Sequence, residues 1–177
     1  MSPSSRDALR RLRRTLARSD RGQELIELAI VLPVVLFLLL GTIELGYAFT
    51  VAHAMAGLSR EGASLASRGA TLTEVAQVVI DNGGDINMTA RGGVVASRVV
   101  VQGSTPTVTD QFSRGSVGAS QMGPLGSPAA ALQSISGLQD GRVLYTVEVF
   151  YAYQPITPLS GVLGRILPSS LYEAAVF

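Results

Sequence analysis

The order of apolar and polar residues divides the chain into a long apolar segment near its start and a more varied remainder. Residues 28–43 are sixteen consecutive positions without a charge, and Glu27 and Glu44 flank them. With the apolar residues that follow Glu44, the segment is long enough to cross a bilayer as a helix, which takes roughly 20 apolar residues. We therefore expect a transmembrane helix over residues 23–52.

The remainder alternates between short helical and short extended patterns. A capping residue, Thr71 or Thr73, and an Asn-Gly-Gly turn predict a helix over Leu72–Asn82. Runs of β-branched and apolar residues predict strands at 94–102, 143–153 and 171–177. The strand at 143–153 is apolar on both faces, which indicates a central strand covered on at least one side. A short amphipathic helix is expected at 159–167.

Residues 103–141 have a different composition, with seven Gly, seven Ser and three Pro among 39 positions. Such a segment has too little apolar surface to form a core of its own. We expect a disordered insertion between two strands, with one or two helical turns at 129–135. The fold class expected is α+β: a long N-terminal transmembrane helix extends into a small domain of about three antiparallel strands.

Charge is concentrated at the start of the chain. Residues 1–22 contain seven arginines and two aspartates, a balance of +5, whereas the whole chain carries +1. Arginines beside a membrane segment stay on the cytoplasmic side. We therefore expect a basic cytoplasmic leader over residues 1–22, a bacterial inner-membrane location with a single pass, and an extracytoplasmic domain over 53–177. Residues 2–18 form either a basic surface helix or a disordered leader.

The sequence offers little for catalysis or for a cofactor. It has no cysteine and a single histidine, His53, so a metal site or a conventional catalytic triad lacks its ligands or its base. No phosphate-binding loop is present. The part after the leader is not basic, which argues against nucleic acid as a partner. We expect a non-enzyme without a cofactor, in which Glu44 is a solvated carboxylate at the membrane interface beside Tyr47.

The start of the apolar segment has a glycine and glutamate motif that carries specific chemistry. The run from Arg21 reads RGQELIELAIVLPVVLFLLLGTIELGYAF, and SREGA follows at 59–63. This combination resembles the TadE-like family, which are pilin-like proteins of tight-adherence (Flp) pilus systems. The resemblance is strong over residues 20–70. The family often has an aromatic residue after the glutamate, where this chain has Leu28.

The resemblance implies a function and a processing site. A prepilin peptidase would cut after Gly22, and the α-amino group of Gln23 would become the new N-terminus. Glu27, about one helical turn later, would pair with that amine or with the amine of a neighbouring pilin-like subunit, because a carboxylate near hydrocarbon needs a partner. The implied protein is a membrane-anchored minor pilin-like (pseudopilin) component in assembly of such a pilus or of a related secretion apparatus.

Two other interpretations of the same segment remain open. In the first, the chain is an uncleaved single-pass anchor for an extracytoplasmic scaffold or binding domain without a pilus role, and Glu27 and Glu44 mark the two interfaces. Their separation of seventeen residues corresponds to roughly 26 Å of helix, close to the hydrocarbon thickness. In the second, a secretory signal peptide ends at a small-residue site around residues 52–56. Its apolar run would be longer than usual.

Overall fold

The computed structural model of the protein describes residues 20–116, 118–135, 137–158, 161 and 168–177. Residues 2–18, and the predicted helix at 159–167 apart from Gly161, lie outside the described residues. The chain forms two compact units, Met1–Ile43 and Glu44–Phe177.

The described part of the first unit is helical. Helix α1 spans Asp20–Ser67, and the unit boundary falls inside it. Every large apolar side chain at positions 25–39 is exposed, on all sides of the helix. The stretch Gly22–Ser67 is long and apolar enough to cross a membrane, by its length and composition. Pro33 lies within α1, as the sequence requires of a helix over this segment.

The second unit combines the rest of α1 with two further helices and one sheet. Helix α2 spans Leu72–Asn82 and helix α3 spans Met88–Arg91. The strands are β1 (Gly92–Gln102), β2 (Thr105–Gly115), β3 (Val143–Ala152) and β4 (Ser170–Val176). They form an antiparallel sheet in the order β2-β1-β3-β4, so β3 lies between two neighbours as its two apolar faces predicted.

The predicted fold class is confirmed, since a long apolar helix precedes a small antiparallel sheet. The strand count differs from the expected three. The additional strand, β2, lies at the start of the segment 103–141, which was expected to be an insertion. It pairs with β1 through a tight turn at Gly103 and Ser104, where Gly103 has a φ of +65°. A 3-10 turn at Ala130–Leu132 matches the helical turn expected there.

One face of the sheet packs against the helices. Buried side chains of α1 and α2 form one apolar cluster with alternate residues of β1 and β3. The cluster includes Val51, Met55, Val75, Val79, Val94, Val147 and Tyr151. Gly62 lies where α1 packs closely against α2 and β3. A Cβ at this position would lie 2.7 Å from Val79 Cγ2 and 3.1 Å from Val147 Cγ1.

The opposite face of the sheet is covered by the connection between β2 and β3. Met122, Ala129 and Leu132 from this connection pack on Val99 and Leu144 in a second apolar cluster. The described residues of 103–141 thus contribute one strand and the cover of one sheet face, in which Met122, Ala129 and Leu132 are buried.

Helix α2 begins at the predicted cap. Thr71 accepts a hydrogen bond from the backbone N–H of Glu74, and the Glu74 carboxylate accepts one from the backbone N–H of Thr71. This reciprocal capping box satisfies two donors that the first helical turn leaves unpaired. The bonds from Thr71 hold the pKa of the Glu74 carboxyl below its usual value.

Because Gly62 is closely packed, its replacement by alanine should change the free energy of unfolding in the opposite direction to the same replacement at Gly57. Alanine normally stabilises a helix interior over glycine by about 0.5–1 kcal/mol, and Gly57→Ala should do so because no atom lies within 4 Å of its added Cβ. Gly62→Ala should instead lower the free energy of unfolding by about 1–3 kcal/mol through overpacking.

Urea unfolding of the full chain in detergent micelles, followed by tyrosine fluorescence, measures both variants, because the chain has no tryptophan to mask that signal. Equal stabilisation by the two alanines would contradict the packing described for Gly62.

Candidate functional site

The sequence-predicted site residues lie in the first turns of α1. Gly22 is partly exposed, whereas Gln23 and Glu27 are exposed. The Gln23 side-chain amide Nε2 donates to Glu27 Oε1 over 3.1 Å. The helix therefore brings Gln23 and Glu27 together on one face, four residues apart. Processing after Gly22 and pairing through Glu27 stay predictions.

A second carboxylate, Glu44, accepts hydrogen bonds from three donors of the chain. The Tyr153 hydroxyl donates to Glu44 Oε1 over 2.6 Å. The backbone N–H groups of Ile156 and Thr157 donate to Oε2 over 3.1 and 2.9 Å. The ring of Tyr153 also packs on Tyr47, with 6.0 Å between centroids. The result is a fixed connection between α1 and the loop that follows β3.

The expectation that Glu44 is a solvated carboxylate was wrong. The residue is fully buried, with 0% of its surface exposed. A carboxylate is buried at low cost only when its oxygens accept several hydrogen bonds, and here a hydroxyl and two backbone amides supply them. Tyr47, which was expected beside Glu44 at the membrane interface, is half-buried against the apolar cluster of the second unit.

A third carboxylate, Glu148, lies on the sheet face that the β2–β3 connection covers. It is fully buried and accepts hydrogen bonds from the Ser120 hydroxyl and, over 2.7 Å, from the backbone N–H of Gln121. The Tyr172 hydroxyl of β4 donates to Glu148 Oε1 over 2.9 Å. Glu148 thus joins the covering connection, β3 and β4. The sequence predicted the strand that contains Glu148 but no role for its side chain.

The two tyrosines that donate to these carboxylates both have a raised pKa. Burial, and to a smaller extent the hydrogen bond to Glu44, raises the pKa of Tyr153 above its ordinary value. Burial and the bond to Glu148 raise the pKa of Tyr172 in the same way. Both phenols are therefore held as neutral donors, which is the form that each buried carboxylate requires.

The described residues contain no cluster of three or more His, Cys, Asp or Glu side chains that could hold a metal ion. His53 lies exposed on α1. The carboxylate clusters at Glu44 and Glu148 are filled by donors from the chain itself. Both carboxylates therefore act as structural hydrogen-bond acceptors that hold loop backbone in place.

Comparison with known families gives one match. The model of the family described as TadE-like protein matches residues 22–64, which begins at Gly22 and includes the SREGA run. The resemblance inferred from the sequence is confirmed over this segment. No curated protein and no solved structure is significantly similar to the chain. The matched family is associated with pili and is structural in character, and the apolar helix within the match indicates a membrane-anchored protein.

Loss of the Glu44 carboxylate should destabilise the loop that it holds. Glu44→Ala leaves the amides of Ile156 and Thr157 and the hydroxyl of Tyr153 without their acceptor, and each buried unsatisfied group costs about 1–3 kcal/mol. We expect the free energy of unfolding to fall by at least ~2 kcal/mol, and the amides of Ile156 and Thr157 to lose protection from hydrogen exchange.

Glu61→Ala is the matched control, because Glu61 lies on the same helix but is exposed and accepts one side-chain bond, from Asn82. Hydrogen exchange of the full chain, resolved by residue, distinguishes the two. Unchanged protection of both amides in Glu44→Ala would contradict the role given to the carboxylate.

Proposed function

We propose that this protein is a membrane-anchored minor pilin-like (pseudopilin) component that takes part in assembly of a tight-adherence (Flp-type) pilus or of a related secretion apparatus. The observation that carries the proposal is the TadE-like match over residues 22–64, because it covers the glycine and glutamate motif and the exposed apolar helix together. Other pilin-like subunits and the lipid bilayer are the proposed partners.

The exposed helix surface supports packing against other subunits. Large apolar side chains at positions 25–39 face outward on every side of α1. Such a surface is stable in lipid, where it is solvated by acyl chains, or in a bundle of similar helices, where it packs against them. A component that passes from the membrane into a filament needs a helix surface that is stable both in lipid and against other helices.

The proposed orientation follows from charge. Seven arginines precede the apolar segment within residues 1–22, whereas the seven that follow it are spread over residues 60–165. Because arginines near a membrane segment are retained in the cytoplasm, the N-terminus is placed inside and the second unit outside the inner membrane. This orientation would present Gly22 to a prepilin peptidase at the cytoplasmic face.

Processing after Gly22 would leave Gln23 as the first residue. Its new α-amino group is cationic near neutral pH and lies about one helical turn from Glu27. The bond between Gln23 Nε2 and Glu27 supports this arrangement, because it places the two residues on one helix face before any cleavage. In an assembly, the exposed Glu27 carboxylate is open to the amine of a neighbouring subunit as well.

The mass of the mature chain tests the processing step. We expect the protein purified from cells with an active prepilin peptidase to lack residues 1–22, and Gly22→Val to retain them because a β-branched side chain obstructs the peptidase at that position. Gly41→Val, at an open glycine further along α1, should leave processing intact.

A mature chain that begins at Met1 or Ser2 in peptidase-active cells would contradict the step. It would instead favour an uncleaved single-pass anchor that carries a scaffold or binding domain without a pilus role.

The pairing step is tested separately through assembly. Glu27→Ala should be processed normally and yet be lost from assembled complexes, because the amine of the neighbouring subunit then lacks its carboxylate. Glu24→Ala removes an equally exposed charge from the preceding turn and should assemble as the wild type does. Cysteine cross-linking between subunits measures assembly without background, since the chain has no cysteine of its own. Normal cross-linking of Glu27→Ala would rule out the pairing.

A further inference from the structure

The loop after β3 holds an exposed apolar side chain beside Glu44. Ile156 is 55% exposed, whereas the next residue, Thr157, is buried. The backbone N–H of Ile156 donates to the Glu44 carboxylate over 3.1 Å. The Ile156 side chain is therefore held close to the residue that directly follows the uncharged segment 28–43 of the sequence.

The backbone N–H groups of this loop, residues 155–158, are already hydrogen-bonded. Pro155 and Pro158 have no N–H group, and the N–H groups of Ile156 and Thr157 both donate to Glu44. Irregular backbone is excluded from a lipid environment chiefly by unpaired polar groups. Pairing of these N–H groups within the protein lowers the cost of placing the loop where water is scarce.

The length of the apolar segment indicates the depth that Glu44, which binds this loop, would have in a bilayer. Seventeen residues separate Glu27 from Glu44, or roughly 26 Å of helix, while the hydrocarbon core is about 30 Å thick. With Glu27 at the inner boundary, the outer boundary falls about one turn beyond Glu44, near Tyr47. Leu45 and Phe49 are exposed apolar residues on this turn, so the helix surface stays apolar at the same level.

We propose that the loop 155–158 is a second membrane contact, in which Ile156 inserts into the boundary between headgroups and acyl chains of the bilayer that α1 spans. The occupant of this surface is lipid, and the Glu44 carboxylate is the device that holds the loop in place. Apolar side chains of peripheral segments enter this boundary by about 5–10 Å. The proposal rests on membrane anchorage alone and not on processing or on a role in a pilus.

Depth-dependent quenching in vesicles tests the contact. The full chain carries a single environment-sensitive fluorophore on Ile156→Cys, and it is reconstituted at low protein content in vesicles of phosphatidylcholine and phosphatidylglycerol. Leu125→Cys, exposed on the β2–β3 connection, is the matched aqueous control, and Leu36→Cys in the apolar helix is the membrane control. Lipids with a spin label at a shallow acyl position and aqueous iodide are the two quenchers.

We expect the label at 156 to be quenched several-fold more by the spin-labelled lipid than the label at 125, and to be protected from iodide by a similar factor. Iodide quenching equal to that at 125 would overturn the proposal. So would protection that increases with protein content, because a second copy of the chain would then cover Ile156. If the label at 36 also fails to meet lipid, the membrane anchorage itself is wrong.

A measurement on the unlabelled chain guards against disturbance by the fluorophore. In nanodiscs, the methyl groups of Ile156 should show magnetisation transfer from lipid acyl chains, whereas those of the exposed Ile135 should show transfer from water alone. Transfer from water alone at both residues would overturn the lipid contact.

Discussion

The buried carboxylate of Glu44 is the interaction on which the beginning of the second unit depends. A charged group at the end of an apolar helix must stay in water or find donors within the protein. The chain supplies a tyrosine hydroxyl and two backbone amides from a loop 109–113 residues further on. The loop gains acceptors for amides that no sheet ladder pairs, so helix and loop each satisfy a requirement of the other.

Glu148 repeats the same solution on the other side of the sheet. It too is buried, and it too accepts from a tyrosine hydroxyl and from a backbone amide of irregular chain. A carboxylate has two oxygens and about four lone-pair positions, so one side chain can serve several donors at once. In a domain with few long apolar side chains outside its core, two such carboxylates fix connections that apolar packing alone would leave loose.

The sequence was sufficient for elements whose signals are local. Helix α2 was predictable because Thr71 and Glu74 form a capping box, and β3 because apolar residues occupy both of its faces. Strand β2 was missed because the Gly and Ser content of the whole segment 103–141 outweighed its own Thr and Val residues. A local signal was present, since Gly103-Ser104 between two β-branched runs is typical of a two-residue hairpin turn. Glu44 was misread for a different reason: no residue near it in sequence indicates the donors that bury it.

Glu27 and Glu44 flank the same apolar segment, yet the surroundings of their side chains differ. Glu44 is enclosed by donors from its own chain, whereas Glu27 is exposed beside the Gln23 amide. A neutral amide compensates a carboxylate less well than a cation does. A chain that only needed an anchor would be equally served by an ordinary polar residue at position 27. Under the proposed function, the cationic partner of this open carboxylate would be the α-amino group that cleavage after Gly22 would form.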